Sequence, residues 1–137
     1  MLMKLLGLDM SALRGILFPL TSDDMMLIIV YAAIAKNGKM NIMETSNRIV
    51  QMRKNKLFLT QIAIRSTPHG YYSQDLADFA HLLTLAGLLK KVKPFTYEVT
   101  KKGRDNLRQD VDVMAEKNPL RTAQILNFLE TPERGMN

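Results

Sequence analysis

Residues 73–103 leave the chain few architectures to fold into. Ser73 has the short oxygen-bearing side chain that caps a helix, and Leu76, Phe79, Ala80 and Leu83 follow at the spacing of one helical face. Gly87 supplies the left-handed stop that ends such a helix. Residues 88–92 then read as a strand, Pro94 and Phe95 as a turn, and residues 97–100 as a returning strand. Thr100 is placed to cap a further helix. The predicted order is helix, strand, turn, strand, helix. The two strands form a short antiparallel hairpin with a helix at either end.

The rest of the chain extends this order. Leu2, Leu5, Leu6, Leu13, Ile16 and Leu17 recur at helical spacing, so residues 1–20 are expected to form an amphipathic helix closed by Pro19. Thr21 or Ser22 caps the next helix, with Asp23 and Asp24 favourably placed in its first turn and Asn37–Gly38 at its end. Its apolar run, residues 25–35, is 11 residues long, against the ~20 that a membrane-spanning helix needs. A core helix buried on most sides is the expectation, and no membrane association. Asn41 with Glu44 starts a helix running to about Lys54 through Ile42, Met43, Ile49 and Val50. Residues 57–65 fit either a strand or a short helix, and 67–72 read as a loop. Residues 101–116 are helical through Leu107, Val111 and Met114. Asn118 and Pro119 open a last helix with Leu120, Ile125, Leu126 and Leu129. Met25, Met26, Met40, Met43 and Met52 are expected to fill core gaps.

The string HGYYSQDLADFAHLLTLAGLLKK followed by YEVTKKG resembles a recurring winged-helix pattern. In it a Gly-x-Tyr-Ser turn caps a helix, Gly-Leu-Leu enters the wing, and Tyr-x-Val-Thr-x-x-Gly leaves it. It is similar to the small prokaryotic proteins of the Panacea (antitoxin-type) group, with Tyr71 standing where their turn has proline and His69 where it has tyrosine. The resemblance covers roughly the 35 residues around that string and implies a regulatory or toxin–antitoxin-type interaction module. Its matching positions, Gly70, Ser73, Gly87 and Thr100, are structural, so it implies no catalytic residue. The expected fold is mainly α with a small β wing (α+β): a winged helix-turn-helix with extra N- and C-terminal helices. The expected division is an N-terminal amphipathic helix over 1–20, a winged-helix domain over 21–116, and a C-terminal helix and tail over 117–137. The apolar faces of the two terminal helices lead to the expectation of a homodimer formed through them.

Charge carries the functional reading. The net charge is +6, and it is concentrated. Residues 39–65 hold six basic residues against Glu44, and residues 90–108 hold seven against Glu98 and Asp105. Each segment is +5, and the remainder of the chain is −4. Clustered ammonium and guanidinium groups displace counterions from a phosphate backbone, so double-stranded DNA is the expected partner. The expected nucleic-acid-binding residues are Arg48, Arg53, Lys54 and Lys56 on the first segment and Lys90, Lys91 and Lys93 on the wing. Gln74 joins them at the start of the helix that would enter the major groove. The plainer reading of the wing lysines is a solvated rim that blunts a sheet edge. Residues 74–86 contain no lysine or arginine and carry Asp75 and Asp78, a composition that suits a protein surface better than a phosphate lattice. The alternative function is therefore a protein–protein interaction module on the same fold.

Catalytic chemistry finds no motif. The chain has no cysteine, which excludes a disulfide framework and thiolate chemistry and fits a cytoplasmic location. His69 and His81 lack the spacing that puts two metal ligands on one helical face, and no phosphate loop, serine elbow or zinc-protease motif occurs. Asp23 and Asp24 point apart on a helix and are explained by its first turn. The expectation is a non-enzymatic protein without cofactor or metal.

Overall fold

Local chemistry sets the helix ends. The computed structural model describes residues 20–55 and 62–130. The expected helix over 1–20, Lys56 and residues 57–61 with the tail from 131 lie outside, apart from Leu20 itself. Helix α1 (Ser22–Asn37) starts at a reciprocal capping box: Thr21 Oγ1 accepts from Asp24 N at 3.1 Å, and Asp24 Oδ2 accepts from Thr21 N at 3.0 Å. It ends at Gly38, whose φ of 80° is left-handed and whose N–H donates to Ile34 O. Met25 to Val30 are all buried, so α1 is the central helix that its unbroken apolar run demands.

A short strand β1 (Lys39–Asn41) follows at once, then α2 (Ile42–Lys54), capped by Asn41 Oδ1 accepting from Glu44 N at 3.0 Å. Strands β2 (Arg65–Thr67) and β3 (Gly70–Tyr72) form an antiparallel hairpin. Helix α3 (Gln74–Leu85) is capped by Ser73, and strands β4 (Leu89–Lys93) and β5 (Thr96–Val99) form a second hairpin. Thr100 caps α4 (Lys101–Lys117), and α5 (Pro119–Glu130) closes the described chain. The protein is mainly helical with small antiparallel sheets. The larger sheet has the order β1-β5-β4.

Three readings of the sequence need correction. Residues 67–72 are not a loop. Thr67 Oγ1 donates to Gly70 O and accepts from His69 N, closing a turn over Pro68 and His69, and the two tyrosines continue as β3. Residues 62–64 are neither strand nor helix, since regular structure resumes only at Arg65. Strand β1 went unread altogether, because three residues are too few to show a period. It exists by pairing with β5, with Met40 opposite Tyr97, and both side chains are buried.

The core is built around α1, which packs against α3, α4, α5 and β1. Ile125 and Leu129 of α5 belong to the same cluster as Ile28, Ile29 and Leu107. Ile125 and Leu129 of the C-terminal helix are thus covered by its own chain, while Leu120 at its start stays 53% exposed. At the base of the β4–β5 hairpin α4 comes so close that a Cβ on Gly103 would stand 1.8 Å from Leu88 O. Only glycine allows that approach.

Candidate nucleic-acid interface

Register decides which basic side chains share a face. Residues directly opposite one another in an antiparallel sheet project to the same side, and neighbours along a strand to opposite sides. Lys39, Glu98 and Lys90 form one cross-strand row. Met40, Tyr97 and Lys91 form the next, on the face whose first two members enter the core. A register shift then leaves Val92 unpaired and places Lys93 opposite Thr96. Two strands of regular pleat would have set Lys90 and Lys93 on opposite sides. The bulge brings Lys93 back beside Lys90. The outer face of the sheet therefore carries Lys39, Lys90 and Lys93, all exposed, around the half-buried Glu98, while Lys91 projects from the other side.

More positive charge lies at one end of this face. Lys101, Lys102, Arg104 and Arg108 fall in the first turns of α4, where backbone N–H groups already make the local potential positive and acids are normally preferred. Arg104 Nη2 would stand 3.6 Å from a Cβ on Gly38, which places the guanidinium against the turn leading into Lys39. Lys102 Nζ donates to Ala86 O at 3.3 Å and so is partly engaged.

The β4–β5 hairpin is tied down at its tip. Phe95 takes a left-handed φ of 64°, and its carbonyl accepts from Ile42 N at 2.8 Å, the first N–H of α2. Its ring meets Tyr72 edge-on with centroids 5.9 Å apart, and Arg65 lies over the other partner, its Cζ 5.1 Å from the Tyr72 ring centroid. Asn41 Nδ2 donates to Thr96 Oγ1 at 3.1 Å beside this junction. The lysines of β4 therefore sit on a braced sheet rather than on a free ribbon.

The other expected contacts are dispersed. Arg48 is buried, and its guanidinium donates to Gln51 Oε1 and to Phe128 O at 2.8 Å while lying over the Phe128 ring. It satisfies a carbonyl in the last turn of α5, one of the orphan acceptors at any helix end. Arg53 donates to Ile62 O, and partial burial lowers its pKa from the usual guanidinium value without removing the charge. Lys54 is exposed at the end of α2. Gln74 is exposed, yet its amide is engaged: Nε2 donates to Asp78 Oδ1 at 2.8 Å, and Tyr72 Oη approaches its Oε1. The outer side of α3 presents Gln74, Asp78, His81, Leu82 and Leu85, without a cation.

Two residues that the sequence did not single out organise these elements. Ser46 Oγ donates to Ile42 O at 2.7 Å and accepts from Ser73 N at 3.0 Å, linking α2 to the cap of α3. Asn47 Oδ1 accepts from Tyr71 N at 3.0 Å and lies against Gly70. A serine and an asparagine inside a helix carry no periodic signal, so nothing in the sequence marks them.

Among the described residues no cluster of three or more His, Cys, Asp or Glu side chains is arranged to hold a metal ion. His69 and His81 are both exposed. No described helix is long and apolar enough to cross a membrane. No known family matches this chain, and no curated protein or solved structure is significantly similar to it.

Proposed function

We propose that this chain is a non-catalytic winged-helix module that binds the phosphate backbone of double-stranded DNA, acting as a cytoplasmic transcriptional regulator or antitoxin-like protein. The element order supports the fold reading: helix, strand, helix, helix, strand, strand, with a sheet in which the last strand lies between the first and the penultimate one. On that reading α3 is the recognition helix, β4–β5 is the wing, and the β2–β3 hairpin is an addition ahead of α3. One observation carries the binding reading. Lys39, Lys90 and Lys93 lie exposed on one braced sheet face with Glu98 as the acid among them.

Such a face reads charge and not sequence. Phosphate contacts position a protein on DNA, and base edges specify. The test is a titration of the purified protein with random-sequence duplex at several salt concentrations. Each phosphate neutralised adds about 0.9 to the slope of log affinity against log salt. Changing Lys39, Lys90 and Lys93 together to Ala is expected to weaken binding and to lower the slope by about 2 to 3. Lys91→Ala, on the other face, is expected to change the slope by less than half a contact. Unchanged affinity and slope in the triple variant would overturn the assignment of this face.

A second reading, a protein-interaction module, is favoured by the two leucines on the outer side of α3. A cation-free helix presenting Leu82 and Leu85 resembles a docking helix more than a groove reader.

A further inference from the structure

A cavity of about 310 Å³ opens where the last turns of α1, strand β1, the first turns of α2 and the end of α5 meet. That volume lies at the lower end of the roughly 300–1,000 Å³ of small-molecule sites. Its lining is of two kinds. Ala32, Met40 and Leu129 are apolar and buried. Lys36, Lys39 and Arg48 bring three positive charges against the single carboxylate of Glu44. The N–H groups in the first turn of α2 add to the positive potential.

Thr45 points to an occupant. It lines the cavity at 6% exposure, and its hydroxyl makes no hydrogen bond among the described residues. Thr122 Oγ1 is the one fully enclosed side-chain atom without a partner among those residues, so the Thr45 oxygen borders open space. A hydroxyl held there can donate to a ligand or accept from it. The side chains of Lys36, Lys39 and Glu44 likewise make no ion pair or hydrogen bond among the described residues. Arg48 is engaged with Gln51 and Phe128 and contributes its charge.

We propose that this cavity binds a free α-amino acid with an apolar side chain. Each part of such a molecule has its counterpart in the lining. Its carboxylate suits the ammonium groups of Lys36 and Lys39, with the Thr45 hydroxyl donating. Its α-ammonium suits Glu44, and its side chain suits Ala32, Met40 and Leu129. A plain carboxylate leaves Glu44 without a donor, and a plain amine leaves the excess positive charge unanswered. The zwitterion answers both. The site is independent of DNA binding, since Lys39 alone of these polar residues belongs to the outer sheet face.

The test is an amide-shift titration of isotope-labelled protein with L-leucine, L-valine, L-methionine and L-phenylalanine, each alone. At least one is expected to give saturable shifts in residues 32–48, half-complete at about 1 mM or below, with the signals of α3 in place. Removing its carboxylate or its ammonium is expected to weaken binding by about fivefold or more. For leucine these analogues are 3-methylbutylamine and 4-methylpentanoate. Thr45→Val, which keeps the shape and removes the hydroxyl, and Glu44→Gln are each expected to weaken binding by about fivefold. No saturable shift with any of the four overturns the site. An amine or deaminated acid that binds as tightly as its parent overturns the amino-acid assignment. Undiminished affinity in either variant overturns the role given to that side chain.

Discussion

The two basic segments have the same net charge and use it in opposite ways. In residues 39–65 two of the three guanidinium groups turn inward, Arg48 to the end of α5 and Arg53 to the backbone at Ile62, while Arg65 stays exposed over the Tyr72 ring and Lys39 faces out. In residues 90–108 the lysines of β4 turn outward, and the register and a bulge gather two of them with Lys39. The chemistry of the side chains accounts for the contrast. A planar guanidinium can fork to carbonyls and lie on an aromatic ring, so arginine closes gaps between packed helices. An ammonium on a short strand is strongly hydrated and stays in water. Segment charge is therefore a poor guide to surface charge when arginine supplies much of it.

The largest effect tests the base of the outward segment. Gly103→Ala forces α4 away from Leu88, and overpacking against backbone is expected to destabilise the fold by about 3 kcal/mol. A lowered urea midpoint with an unchanged slope would report it. A variant of parental stability would mean that α4 is free to shift, and that the sheet face is not rigidly based. Next comes the contrast itself. Arg48→Ala removes hydrogen bonds to Gln51 and Phe128 and the ring contact, and is expected to cost about 2 kcal/mol. Arg48→Lys, which cannot fork, should recover little of that. Lys90→Ala is expected to stay within about 0.5 kcal/mol of the parent. Equal losses at positions 48 and 90 would abolish the distinction between inward and outward segments.

Ser46→Ala comes below the loss at Arg48. It leaves the Ser73 N–H buried without its acceptor, and the expected loss is about 1 to 2 kcal/mol. This position also shows where legibility in the sequence stopped. The caps at Thr21, Asn41, Ser73 and Thr100 and the stops at Gly38 and Gly87 were readable, because a cap is satisfied by the chain next to it. Strand β1 and the β2–β3 hairpin were not, since strands of three residues are defined by their partners. The candidate site was legible in composition and illegible in geometry. Lys90, Lys91 and Lys93 could be named from the sequence, yet the unpaired Val92 decides which of them share a face. Arg48 looked like its neighbours until α5 packed across it.

Apart from the Lys90 variant, the smallest effect concerns the inward region once more. Thr122 on α5 is 1% exposed, and its Oγ1 is buried without a hydrogen-bond partner among the described residues. A hydroxyl in that position gives up its water and receives nothing in return, whereas the guanidinium of Arg48, reaching α5 from α2, donates to Phe128 O. Val has nearly the shape of Thr and no group to desolvate. Thr122→Val is therefore expected to raise stability by about 1 kcal/mol, seen as a higher urea midpoint. A loss instead would show that the hydroxyl is paired in solution. The packing of α5 would then depend on two polar anchors, Arg48 and Thr122, rather than on the arginine and its apolar face.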